Sequence, residues 1–216
     1  MLERIKAEIL AVRMIPNVDA TLAAQFPLKP GYRSLGILTT TIDDVGYTAL
    51  DEATKRAEVE VVYARSCYAG ASHASGPLSG EFIGIIAGPN PDEVSSGIEA
   101  IRNTIQYDAF FESLNEDRTH ALYAHVVART GSYLSHLASI QEGEPLAYLI
   151  APPLEAMYGL DAALKAADVR LMKFFGPPSE TNFGGGLLTG TQAACHAAAE
   201  AFRASIIEIA KQPITY

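Results

Sequence analysis

Residues 51–59 read DEATKRAEV, and residues 161–169 read DAALKAADV. Asp51 matches Asp161, Ala53 matches Ala163, Lys55 matches Lys165, Ala57 matches Ala167 and Val59 matches Val169, with Glu58 answered by Asp168. Each block has the composition of a helix end running into an apolar strand. Outward from it the agreement continues. Residues 84–88 (GIIAG) are matched by 186–190 (GLLTG), and a helix-like stretch follows each. Self-similarity over so long a period marks a duplicated unit.

The order of elements repeats as well. An apolar strand (35–39; 146–150) leads into an acidic, turn-rich connection (43–46; 152–155). A helix ends near Ala57 or Ala167, and a second strand follows (59–64; 169–175). A loop of small residues then precedes a third strand (82–86; 187–189) and a last helix. In the first half that helix is well signalled. Asn90 suits the N-cap, Pro91 the first helical position, and Asp92 and Glu93 the positive helix end. Val94, Ile98, Ile101 and Ile105 then recur at helical spacing, as do Ala194, Ala198, Phe202, Ile206 and Ile209 in the second half. The expected fold class is α/β (α+β): two tandem units, 1–112 and 113–216, each a small antiparallel or mixed sheet flanked by helices. The boundary falls in the polar stretch 112–119, ESLNEDRT.

Composition narrows the function. Of 216 residues, 49% are apolar and 19% charged, enough for a packed core and too apolar for disorder. The formal net charge of −9 disfavours nucleic acid and anionic lipid as partners, since both require basic patches. An acidic surface suits cationic small molecules. Cys67 and Cys195 form no CxxC and lie far apart, so no disulfide framework is expected and a reducing cytoplasm fits. The N-terminal stretch MLERIKAEILAVRMIPN has mixed charge and no signal-peptide apolar region, and no apolar run has membrane-spanning length.

The segment from Leu146, LAYLIAPPLEAMYGLDAALKAADVRLMKFFGPP, followed by GGGLLTG and an Ala-rich helix, resembles the bacterial microcompartment shell domain. Strand-like segments stand before each unit (9–15, ILAVRMI; 122–128, LYAHVVA), whereas the ordinary domain ends on its last strand. The order is similar to the circularly permuted form of the domain. Two such domains in one chain, together with RTGSYLS (129–135), APPLEAMYG (151–159) and PPSETN (177–182), resemble the trimeric shell proteins of ethanolamine-utilisation microcompartments over essentially the whole chain. The resemblance implies a structural, non-enzymatic tile in the shell of a cytoplasmic microcompartment. It implies a homotrimer of pseudo-sixfold outline, other shell proteins as neighbours, and no cofactor.

Cyclic symmetry places equivalent loops around one axis, where loops of small residues can line or close a hole. Two long loops are candidates for pore lining. One spans 66–79 with Ser66, Cys67, Gly70, His73 and Gly76. The other spans 174–186 with Phe175, Gly176, Gly184, Gly185 and Gly186. Passive surface loops are the plainer reading.

Asp43 and Asp44 adjoin in TTTIDDVGY. By themselves they read as an Asx-capped turn or as a carboxylate pair holding a cation. The resemblance implies the second role, with ethanolamine as the ligand and Asp43, Asp44, Glu81, Phe111, Glu155, Thr181, Asn182 and Phe183 as its contacts. The carboxylates would supply the negative field, Thr181 and Asn182 would meet the hydroxyl or hold the carboxylates in place, and the ring of Phe111 would meet the ammonium. Bland roles stand beside these: a solvated Glu81, a Glu155 favoured at its helix start, a core Phe111.

No metal site is expected. His73 and Cys67 alone fall short of the three or four ligands that zinc needs. Neither a phosphate loop with its Lys-Ser or Lys-Thr nor a GxSxG nucleophile turn occurs. A soluble trimeric amine-binding sensor is the alternative to a tile, and an enzyme using paired carboxylates a more distant one.

Overall fold

The structure, a computed structural model, describes residues 3–67, 76–179 and 181–214. The chain runs β1 (Glu3–Ile5), β2 (Ile9–Ile15), α1 (Ala20–Ala23), β3 (Ser34–Thr40), α2 (Asp43–Arg56), β4 (Glu60–Ser66), β5 (Phe82–Gly88) and α3 (Pro91–Asn103), which ends in a π turn. It continues through β6 (Phe111–Ser113), β7 (Ala121–Val127), α4 (Ser132–Ala138), β8 (Leu146–Ala151), α5 (Pro153–Ala166), β9 (Val169–Phe175), β10 (Gly184–Gly190) and α6 (Gln192–Lys211).

Two compact units result. One holds Lys6–Ala109 and Gly131–Leu134, the other Met1–Ile5, Phe110–Thr130 and Ser135–Tyr216. The division is thus not a single cut: the N-terminal strand goes with the later residues, and Gly131 with the first three residues of α4 goes with the earlier ones.

The first unit has a four-stranded sheet in the order β2-β3-β5-β4, antiparallel throughout. The second has six strands in the order β1-β6-β7-β8-β10-β9, also antiparallel. Setting aside β1 and β6, the two orders are the same when β2, β3, β5 and β4 are matched with β7, β8, β10 and β9. The duplication extends to irregularities. The β4–β5 ladder slips between Val61 and Tyr63, leaving Val62 extra, and the β9–β10 ladder skips Met172, the residue matching Val62 in the repeat.

The helical periodicities seen in sequence become the core faces. In the first unit Leu50 and Ala53 of α2 and Val94 and Ile101 of α3 are buried against the sheet. Asn90 caps α3, its side-chain oxygen accepting from the Glu93 N–H at 3.0 Å. In the second unit α5 and α6 cover the sheet, and Phe202 packs with Leu149, Ala156, Leu160 and Leu188. The opposite face of the first sheet is closed by the chain around α1, where Ala23, Phe26 and Leu28 pack on Val18, Leu35 and Ile85.

Two expectations are corrected. Asp43 and Asp44 do not form a turn; they are the first turn of α2, where carboxylates are favoured by the helix dipole. Gly184, Gly185 and Gly186 are not loop residues but the start of β10, and Ser66 and Phe175 close strands β4 and β9. In β10 the glycines permit close strand packing. At Gly185 φ is +154°, and a Cβ would stand 1.9 Å from the carbonyl oxygen of Leu149 on β8. Gly76 and Gly176 do lie between strands, and Gly70 and His73 fall outside the described residues.

Candidate functional site

In the first unit, Thr40, Phe82 and Ser66 stand in one row across β3, β5 and β4. Beyond this row the ladder continues for one more step. The Glu81 N–H donates to the Thr40 carbonyl at 3.0 Å, and the Cys67 N–H donates to the Glu81 carbonyl at 2.8 Å. Helix α2 opens at the same end, so Asp43, Asp44, Glu81 and Cys67 share one end of the sheet. Gly80 makes this possible: its φ is +59°, and a Cβ there would meet the Thr40 carbonyl oxygen at 2.0 Å.

The region is partly desolvated and negative. Asp43 and Asp44 are each 7% exposed. Burial, and then the charge of Asp43, pushes the Glu81 carboxyl above its ordinary 4.5. Burial, with the charges of Glu81 and Asp43, raises the Cys67 thiol. Tyr47, whose hydroxyl lies 2.8 Å from Ser66 Oγ, is pushed up to about 12 by burial and by both aspartates.

Because Glu81 holds its proton more tightly folded than unfolded, its ionised form at neutral pH opposes folding, and the penalty fades as pH falls through the raised value toward 4.5. Glu81→Gln is therefore expected to raise Tm at pH 7 by about 1–3 °C. Calorimetry across pH should show that gain vanish in acid. A gain that persists below pH 4 would assign the effect to packing instead.

The remaining sequence-predicted residues belong to the second unit, at the corresponding end of its sheet, where Ala151 faces Gly184 and Phe175 faces Gly185. Glu155 sits in the first turn of α5 with its carboxylate 2.8 Å from His120 Nε2, a neighbour the sequence did not single out because it comes from a separate strand connection. Thr181, Asn182 and Phe183 form a tight turn: the Ser179 N–H donates to the Phe183 carbonyl at 2.8 Å, the Asn182 N–H to the Ser179 carbonyl at 3.1 Å, and Asn182 has φ +66°. Phe111, 6% exposed, stacks on Tyr123 at 5.0 Å and takes Phe183 edge-on at 6.0 Å. Most of that ring is therefore occupied by aromatic packing.

The site residues thus form two groups, one per unit. Tyr47 and His120 were missed; the first has only a helix-interior position in sequence to mark it. Among the described residues no group of three or more His, Cys, Asp or Glu side chains is placed to hold a metal, and no helix is long and apolar enough to cross a membrane.

Comparison with known proteins fits this architecture. Residues 34–114 match the BMC domain. The chain is 57% identical over 212 residues to the bacterial microcompartment shell protein EutL of Clostridium perfringens, covering 98% of each chain. It is 52% identical to EutL of Escherichia coli K12, over 99% of this chain and 97% of that one. The crystal structure of the ethanolamine utilization protein EutL from Leptotrichia buccalis superposes with a TM-score of 0.96 at 58% identity, covering 100% of this chain and 99% of that one. These relatives are structural shell proteins, which favours the tile over the sensor and the enzyme. On fold, repeat and sequence together, the chain belongs to the bacterial microcompartment shell proteins of the EutL type.

Proposed function

We propose that the chain builds homotrimers of pseudo-hexagonal outline that tile, with other shell proteins, the shell of an ethanolamine-utilisation microcompartment in the cytoplasm. The acidic end of the first unit's sheet receives a small ammonium compound such as ethanolamine. Asp43, Asp44 and Glu81 supply the field for the ammonium. In the second unit, Glu155 with Phe111, and the turn bearing Thr181, Asn182 and Phe183, offers a carboxylate, hydroxyl and amide partners and an aromatic edge. Cys67, Gly76 and Gly176 mark the loops that would line passages.

One observation carries the ligand class: beside burial, which acts first, the charge on Asp43 adds to the hold on the protons of Glu81, Cys67 and Tyr47, which lie with it at one end of the sheet. A field that favours protons at three neighbouring groups favours any small cation that fits.

Calorimetric titration with ethanolamine, and with ethylene glycol as an uncharged analogue of similar size, tests this. Ethanolamine should bind, ethylene glycol should not, and Asp43→Asn should weaken binding about tenfold, the effect of roughly 1.4 kcal/mol. Equal binding of both compounds, or no change in Asp43→Asn, would remove the ammonium from the account.

A further inference from the structure

The repeat makes a contact once within the chain whose counterpart in the second repeat is uncovered. Helix α2 carries Tyr47, Asp51 and Thr54 on one face. Residues Gly131–Leu134, which pack with the first unit, lie against that face. The Asp51 carboxylate accepts from the Gly131 and Leu134 N–H groups at 2.8 Å each, Thr54 Oγ1 accepts from the Ser132 N–H at 3.1 Å, and the Tyr47 and Tyr133 rings stack at 6.2 Å. Leu134 and Asp51 are fully buried.

Sequence register assigns the matching residues of α5: Met157, Asp161 and Leu164 for Tyr47, Asp51 and Thr54, with Leu154 and Tyr158 along the same stripe at helical spacing. This stripe is exposed. Leu154 is 63%, Tyr158 53%, Leu164 38% and Met157 36% accessible, and the Asp161 side chain 61%. Four large apolar side chains on one open helical face mark an interaction surface.

The covering segment has its own counterpart. Both β2 and β7 run into a short helix, and one hydrogen bond fixes their alignment. The Val18 N–H donates to the Arg33 carbonyl just before β3, as the Thr130 N–H donates to the Glu144 carbonyl just before β8. That register matches Leu22 of α1 to Leu134. Leu134 is buried, whereas Leu22 is 44% exposed while its neighbour Ala23 packs inward.

We propose that the outer face of α5 is covered by the α1 segment of a second copy, with Leu22 seated among Leu154, Met157, Tyr158 and Leu164. The inference rests on reading the chain as a self-assembling tile and specifies the junction. The junction is heterologous: each copy offers α1 to one neighbour and α5 to the other, the arrangement that closes into a ring. It is more apolar than its internal counterpart. Asp19 caps α1 by accepting from the Thr21 N–H at 2.8 Å, and Asp161 is held by Lys165 at 2.6 Å, so no buried carboxylate cap is reproduced.

The test uses full-length chains carrying Leu22→Asp or Leu154→Asp, with mass measured by analytical ultracentrifugation and fold by circular dichroism. The parent chain should sediment as three copies of 23.1 kDa, about 70 kDa in all. Each variant alone should be a folded single copy. Mixed, they should form a two-chain species and stop there, because the intact α1 of the Leu154→Asp chain meets the intact α5 of the Leu22→Asp chain and every other junction is broken. This mixed species also shows that both variants are folded. Variants that stay trimeric would overturn the junction and leave the tile standing. A parent chain that is itself a single copy would overturn both. A mixture that stays at single copies would overturn the pairing of α1 with α5.

Discussion

Truncation of Phe202 to alanine is expected to lower the free energy of unfolding by about 3–5 kcal/mol. Phe202 is fully buried in the core that joins α6 to α5 and the second sheet. It lies against the α5 backbone at Gly159, where an added Cβ would stand 2.7 Å from its ring. Around it are alanines, Ala156, Ala198 and Ala199 among them, whose short side chains cannot close over the space left by a ring. The same residues allow the two helices to approach closely, so the loss should fall on the second unit. Urea unfolding with a refit of the slope checks it: a midpoint shift at unchanged slope is the expected result, and a loss under 1 kcal/mol would mean that this core repacks.

Asp51→Ala and Asp161→Ala form the second test, because the repeat places one residue type in two environments. Asp51 is buried and receives two backbone N–H groups, with Lys55 Nζ at 3.5 Å. Burial pushes its carboxyl above the ordinary value despite those partners, so part of the gain is offset by desolvation. Alanine there would strand two buried donors, at about 2–4 kcal/mol in total. Asn, which keeps an acceptor, should recover about half of it. At Asp161, exposed in the single chain and held by Lys165 one turn on, the same change should cost under about 0.5 kcal/mol. Thermal unfolding of the two variants in parallel decides it; equal losses would deny the asymmetry on which the proposed junction depends.

Much of this fold was legible because its signals are local or periodic. Strands β2 and β9 match their sequence ranges, and the cap of α3 was readable from Asn90, Pro91 and two acidic residues. What escaped has identifiable causes. Asp43 and Asp44 carry turn chemistry, yet no proline stands between Ile42 and Ala57, and the helix dipole favours them where they stand. Gly184–Gly186 read as part of a loop in sequence; only the approach of the Pro177 ring to Gly184, and of the Leu149 and Lys173 backbone oxygens to Gly185 and Gly186, shows why they are glycine. Helix α1 is too short to carry a period, and α4 starts in one unit and ends in the other, a long-range outcome that no local pattern encodes.

The candidate site shows the same limit. The acidic residue types were legible, whereas the resemblance put all eight residues around one ligand and the structure describes them as two groups, one in each unit. That Glu81 and Asp43 share a sheet end depends on strand register and on the left-handed turn at Gly80. The pairing of His120 with Glu155 depends on where a connection between two strands comes to rest.

Membership in a shell family makes one physical claim above the rest, that this chain tiles a surface. Electron microscopy of the purified protein, concentrated without any partner, tests it directly. The account predicts flat sheets with hexagonal order built from trimers. Discrete particles without lateral order at every concentration would contradict it.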